Sequence, residues 1–319
     1  MKKILVLGGT GFVGRSVCKL LLQQGWAVTV PTRSASSQSL RSVPGITQRT
    51  LDVHDEVALN QIVAGQDAVI NLVAILHGST ASFERVHVEL PRKLVRACAA
   101  NNVRRLIHIS ALGADDLDPE SRPSEYLRSK SRGEAILLHT HQAMAALDVT
   151  VIRPSVIFGE GDKFLTMFAK LQSMFPVMPL AGAQSRFQPV WVEDVAAAVL
   201  RTLADGTSSD ALGVLPRVIE ACGPQVFTLS QLVKLSGQLS GTAGACGRPI
   251  IPLPSWMARI QARAMELAPG EPLMSRDNLD SMKIDNVSSG QIPGLESLGI
   301  VVSALEPIAA AYLGRQKSV

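Results

Sequence analysis

Two residues of this 319-residue chain stand at a spacing that could do chemistry: Tyr126 and Lys130, in Tyr126-Leu127-Arg128-Ser129-Lys130. Side chains four apart share one face of a helix, so a phenol and an ammonium can act on the same bound molecule. A lysine charge beside a tyrosine favours the phenolate and draws a hydroxyl with a pKa of about 10 toward neutrality, as proton exchange requires. A second cluster is Gly8-Gly9-Thr10-Gly11-Phe12-Val13-Gly14. Gly8 permits a tight turn, Gly11 lets a pyrophosphate approach the backbone, and Gly14 lets a helix pack closely on a strand. A helix opening there offers free N–H groups and a partial positive charge to phosphate. Thr10, Phe12 and Val13 complete that cradle, and Arg15 follows it directly.

The elements that must position these groups are legible from periodicity. Short, almost continuously apolar runs at 3–7, 27–30, 47–51, 68–72, 106–109 and 149–152 read as strands covered on both faces. Amphipathic stretches at 12–24, 56–64, 83–101 and 124–146 lie between them and read as helices. Such alternation implies right-handed crossovers and an α/β fold, a Rossmann-type doubly wound parallel sheet. The glycine cluster then falls at the first strand-to-helix turn, the phosphate-binding position of that fold. We read residues 1–153 as a dinucleotide-binding domain. Residues 154–319 complete the sheet and add a smaller mixed lobe that is not an independent domain. Prolines 176, 179, 189, 216 and 224 punctuate short elements there. Thr228 reads as a helix start, 241–247 as a small-residue loop, and 255–267 as a helix capped by Ser255.

Cofactor choice follows from what ends the second strand. NAD recognition wants a carboxylate there to accept from the ribose hydroxyls. The chain instead has Val30-Pro31-Thr32-Arg33, and no Asp or Glu precedes Asp52. Arg33 can pair with a 2′-phosphate, and Arg15 is a possible second cation, so NADP(H) is favoured over NAD(H).

Composition removes other classes. With 46% hydrophobic and 18% charged residues and a net charge of +4, the chain is a folded globule. No apolar run reaches the length of a membrane span, and the run at 4–7 after Lys2-Lys3 reads as a buried strand instead of a signal peptide. A pI near 9.0 does not signal nucleic acid, because the basic residues are scattered and aromatics make up only 4%. Cys18, Cys98, Cys222 and Cys246 lack CxxC spacing, which suits a reducing, cytoplasmic setting. The six histidines lack zinc spacing, and no GxSxG elbow signals a hydrolase.

The GxxGxxG spacing and the Tyr126/Lys130 pair together resemble the extended and atypical short-chain dehydrogenase/reductases. Arg153-Pro154-Ser155-Val156-Ile157-Phe158-Gly159 is similar to their RPxxVYG segment, which lines the nicotinamide side through Pro154 and Val156. Trp191-Val192-Glu193-Asp194-Val195-Ala196 is similar to the (H/F)VxDVA segment that follows. The four matches run in the correct order over about two-thirds of the chain. The resemblance implies that Tyr126 exchanges a proton with substrate and that Lys130 binds the nicotinamide ribose. It places Asp52 and Val53 at the adenine, and Leu72, Val73 and Ala74 along the cofactor. A serine or threonine after the fifth strand would hold the substrate oxygen; Ser110 is the candidate, although the extended pattern sets that hydroxyl at Ala111.

A narrower resemblance is to the nucleotide-binding accessory subunit family of respiratory complex I. It rests on Tyr126-Leu-Arg-Ser-Lys130 with Gly133-Glu134, on Gly11-Phe-Val-Gly14-Arg15, and on the tail with Pro252-Leu-Pro-Ser-Trp256, 269–273 and Asp285-Asn286-Val287. It implies a bound NADPH with a structural or redox-sensing role and attachment at the periphery of an inner-membrane complex, with the 255–267 helix as contact or as a lid over the pocket. The alternative is an active oxidoreductase or epimerase on a carbonyl, quinone or small apolar isoprenoid-like molecule. A sugar nucleotide is disfavoured by the lack of a basic cluster in the second half.

Overall fold

The computed structural model describes residues 1–33, 44–143, 147–204, 216–243, 246–267 and 272–314. The expected helix end at 144–146, residues 244–245 of the expected loop and residues 269–271 of the tail lie outside them.

The sheet is built from β1 (Lys3–Leu7), β2 (Ala27–Thr32), β3 (Ile46–Thr50), β4 (Ala68–Asn71), β5 (Arg105–Ile109) and β6 (Asp148–Pro154). The helices between them are α1 (Phe12–Gln23), α2 (Glu56–Val63), α3 (Thr80–Phe83), α4 (Leu90–Ala100) and α5 (Glu125–Ala143). A π-helical turn, Glu84–Glu89, joins α3 to α4, so the single helix expected over 83–101 is broken in its first turns. All neighbouring strands run parallel, and the order is β3-β2-β1-β4-β5-β6 with a seventh strand beyond β6. Strand order reverses between β1 and β4, which makes the crevice beyond their C-terminal ends the ligand position of such a sheet.

Strand alternation divides the interior. Ile4 and Val6 of β1 join Val17 and Leu21 of α1 in one core, while Leu5 and Leu7 join Leu59 of α2, Leu94 of α4 and Leu137 of α5 in the other. Both faces of the sheet are thus covered, and its strands are apolar throughout.

The second half begins with β7 (Ile157–Phe158), α6 (Phe164–Met174), β8 (Met178–Leu180), β9 (Arg186–Phe187), β10 (Val190–Trp191) and α7 (Val192–Ala204). β11 (Val218–Ala221) is the seventh strand and pairs with β6. Then come β12 (Phe227–Thr228), α8 (Leu229–Leu239), β13 (Ile250–Pro252), α9 (Ser255–Glu266), α10 (Arg276–Ser281) and α11 (Leu305–Leu313). The small strands pair as β7–β10, β9–β12 and β8–β13. Helix α7 packs on the α1 side of the sheet, in the core that holds Val195 and Val199. Thr228 caps α8 in a capping box with Gln231, as its sequence implies. At α9 the cap is Pro254 and not Ser255, because Ser255 already has helical backbone and no side chain closes the first turn.

Candidate functional site

The first turn is shaped by its glycines. Gly8 has φ +80°, a conformation costly for any residue with a Cβ, and its carbonyl accepts from the Gly11 N–H at 2.9 Å. A Cβ on Gly14 would stand 2.6 and 2.7 Å from the Cα and carbonyl carbon of Gly9, so α1 enters the turn with no space to spare. Gly11 is the N-cap of α1, and no side chain caps that end. Uncapped N–H groups over an open glycine make a cradle that fits a pyrophosphate. Arg15 and Phe12 join the turn to the loop after β7: the Arg15 guanidinium donates to the Thr10 carbonyl at 3.5 Å and lies against Gly161, and the Phe12 ring lies against Gly159.

At the adenosine end, Arg33 stands exposed where β2 stops. Asp52 follows β3, accepts from the His54 N–H at 2.9 Å and pairs with Arg85 at 3.3 Å. The His54 N–H foremost, then the Arg85 and Arg33 charges, hold the Asp52 carboxyl below its ordinary range. Arg33 and Asp52 are therefore neighbours across the ends of β2 and β3, with Val53 beside them.

The exit of β4 crosses the mouth of the turn. A Cβ on Gly8 would lie 3.1 Å from the Leu72 carbonyl carbon. Asn71 Oδ1 accepts from the Val73 N–H at 3.2 Å, which leaves Asn71 Nδ2 to donate to His108 Nδ1 at 3.1 Å. The His108 proton then resides on Nε2, which is buried and has no partner among the described residues. Ala74 is exposed between these anchors.

Helix α5 carries the tyrosine and lysine. Its first two N–H groups, those of Glu125 and Tyr126, donate to the two carboxylate oxygens of Asp277 at 2.7 and 3.1 Å. Asp277 belongs to α10, so the second lobe caps the helix at the tyrosine itself. The Lys130 ammonium is buried and donates to the Ile109 carbonyl at 2.8 Å; burial pulls its pKa down to about 8. Burial and then Asp277 push the Tyr126 phenol above its ordinary value. This differs from the sequence expectation of a phenol drawn toward neutrality: burial disfavours the phenolate, Asp277 adds a negative charge, and the Lys130 ammonium is engaged by the Ile109 carbonyl.

One turn further, Glu134 is 0% exposed and accepts from Arg153 Nε at 2.9 and 3.1 Å, and from the other guanidinium edge. Arg153 also donates to Asp116 at 2.8 Å. Burial lifts the Glu134 carboxyl even with Arg153 against it. Ser110 enters here: its hydroxyl is buried beside Glu134, makes no well-formed hydrogen bond among the described residues, and faces the Arg153–Glu134 pair. Ala111, one residue on, is buried as well. Pro154 and Val156 are fixed by backbone, Pro154 O accepting from Leu112 N–H at 2.9 Å and the Val156 N–H donating to Asn286 Oδ1 at 3.1 Å.

The structure thus brings Leu72 against the glycine turn, sets Tyr126 and Lys130 on one face of α5 at the end of β5, and places the Ser110 hydroxyl beside Glu134, one turn beyond Lys130. Sequence reasoning missed His87, His108 and Asp277. A tally of histidines by metal spacing passes over single buried imidazoles, and Asp277 acts from an element 151 residues away.

Fold and site together define a dinucleotide-binding α/β protein of the short-chain dehydrogenase/reductase type. The model of the NAD dependent epimerase/dehydratase family matches residues 4–214, and the chain belongs to that family. It is 31% identical over 327 residues to mouse (Mus musculus) mitochondrial NADH dehydrogenase [ubiquinone] 1 alpha subcomplex subunit 9, covering 98% of this chain and 80% of that protein. The ceramide reductase of Caulobacter vibrioides is 26% identical over 269 residues, covering 76% of this chain and 81% of the reductase. The Thermus thermophilus UDP-glucose 4-epimerase, in complex with NAD, superposes with a TM-score of 0.63 at 18% identity, over 88% of this chain and 99% of the epimerase. No helix among the described residues is long and apolar enough to cross a membrane.

Proposed function

We propose that this protein binds NADP(H) in preference to NAD(H) and serves as a nucleotide-holding subunit of the complex I accessory type, with a structural or redox-sensing role at the periphery of an inner-membrane assembly. The observation that carries the cofactor choice is the end of β2, where exposed Arg33 replaces the carboxylate that NAD would need. The glycine turn and the uncapped α1 would hold the pyrophosphate, Lys130 would face the nicotinamide ribose, and the nicotinamide itself would supply hydride chemistry. The relationship to the mouse subunit supports the assembly role. So does α9, which presents Trp256 at 65% and Ile260 at 62% exposure, with Met257 beside them. Burial of the Ser110 hydroxyl beside Glu134 supports a structural role over turnover.

Titration of purified protein with NADPH and NADH tests the cofactor reading. Arg33→Ala should weaken NADPH at least tenfold and leave NADH within twofold. Equal losses for both would overturn the 2′-phosphate assignment. A second reading, an active NADPH-dependent reductase or epimerase on a carbonyl, quinone or other small apolar molecule, is favoured by Tyr126 and Lys130 on one face of α5. It requires NADPH oxidation with such compounds that disappears in Tyr126→Phe.

A further inference from the structure

The segment leaving β4 meets the glycine turn at Leu72 and the π-helical turn at Ile75, where a buried side chain accepts from its backbone. His87 lies in the π-helical turn, is 1% exposed, and reaches both this segment and α5. Ser129 donates its hydroxyl proton to the Tyr126 carbonyl at 2.8 Å, so its oxygen accepts from His87 Nδ1 at 2.9 Å. His87 Nε2 is thereby left as an acceptor, and the Ile75 N–H donates to it at 3.2 Å. The imidazole edge also packs on the Tyr126 ring at a centroid distance of 5.6 Å. The His87 carbonyl is pressed against Gly133 of α5, where any Cβ would collide with it. π-helical turns are rare, and they concentrate at functional sites.

We propose that His87 is the positioning residue that sets the β4 exit segment against the Tyr126–Lys130 helix and so holds the nicotinamide half of the crevice in register. Its two hydrogen bonds run in opposite senses, one accepted and one donated, which only a neutral imidazole with the proton on Nδ1 can supply. Burial, then the Lys130 charge, pulls its pKa down to about 2, so that form persists across the physiological range. Among the described residues the His87 side chain makes no hydrogen bond to Arg33, Asp52 or the glycine turn, and Asp52 meets the π-helical turn through Arg85 instead.

The proposal rests on the NADP(H) reading, and two ligands separate their failures. NADPH spans the crevice, whereas 2′,5′-ADP carries only the adenosine half. His87→Phe keeps the ring contacts and removes both hydrogen bonds. It should weaken NADPH about tenfold, the loss expected for an N–H left unpaired in a buried setting, and leave 2′,5′-ADP within twofold. His87→Gln, which can accept from Ile75 and donate to Ser129, should restore NADPH to within threefold of wild type. Equal weakening of both ligands, unchanged NADPH affinity in His87→Phe, or a Gln variant as poor as Phe would overturn it. If Phe does not fold, His87→Leu carries the same comparison; failure of both to fold would mark a residue of stability alone and overturn it too. Wild-type protein that binds neither ligand would refute the NADP(H) reading itself.

Discussion

Replacing Arg153 by Met tests whether the buried pair with Glu134 holds α5 in place. Glu134 is 0% exposed and Arg153 5%, so the variant strands a carboxylate in the interior with its ion-pair partner gone and only the Lys130 cation, one turn away on α5, still acting on it among the described residues. Removing one partner of such a pair costs about 3–5 kcal/mol. For a chain of this size that corresponds to a melting-temperature drop of roughly 4–8 °C. The loss has a sign in pH. Burial already raises the Glu134 carboxyl above its ordinary 4.5, and without Arg153 it rises further. A carboxyl raised in the folded state costs nothing below its unfolded pKa, and the penalty grows as pH climbs from there to the folded value and is constant above it. Urea unfolding of both proteins should therefore show a smaller deficit at pH 5 than at pH 8. Adding Glu134→Gln to the variant should recover most of the loss, because the charge is then gone. A deficit under 1 kcal/mol, a deficit equal at the two pH values, or no relief from Glu134→Gln would refute the reasoning.

Two other outcomes follow from the site. Burial outweighs the Glu134 charge at Lys130: its pKa falls from 10.5 to about 8 on folding, so it destabilises the fold fully below pH 8, and the penalty fades between 8 and 10.5. Lys130→Met should then stabilise the protein at pH 7 by about 2 kcal/mol, the desolvation gain less the lost bond to Ile109, with no advantage by pH 10.5 and a weakened NADPH titration. Gly14→Ala drives a methyl into the backbone of Gly9, so α1 must shift; NADPH binding should fall at least a hundredfold in isothermal titration while far-UV circular dichroism stays near wild type.

The sheet was legible because strands covered on both faces must be apolar throughout, and the six runs expected from sequence lie within one or two residues of the strands seen. The glycine turn was legible for a local reason: Gly8, Gly11 and Gly14 answer steric demands within a single turn. Ser110 shows where this stops. Its position after β5 is readable, but the direction of its side chain depends on strand parity, and Leu106, His108 and Ser110 share the face that meets α5. The π-helical turn around His87 was hidden because its apolar spacing still fits one continuous helix. Asp277 was hidden because a cap supplied from another lobe leaves no mark near the helix it caps.

These hidden contacts share a consequence for how the two lobes communicate. α10 is tied to α9 by Arg259–Asp280 at 3.0 Å and Arg276–Glu266 at 2.8 Å, and to α5 by Asp277 and by Ser281, whose hydroxyl donates to Ser124 at 2.8 Å. The surface ion pairs are weak individually. The Asp277 cap is of another kind, since it satisfies two backbone donors at once. The first turn of the tyrosine helix is therefore finished only when the second lobe is seated. A dinucleotide site completed in this way has its glycine turn shaped by Gly8 and Gly14 with Leu72, Gly159 and Gly161 packed around it, and the first turn of its tyrosine helix held by nearby Ser124 and distant Asp277 together. The Tyr126 end is the one that α10 reaches directly, so a displacement of α10 alters that end first.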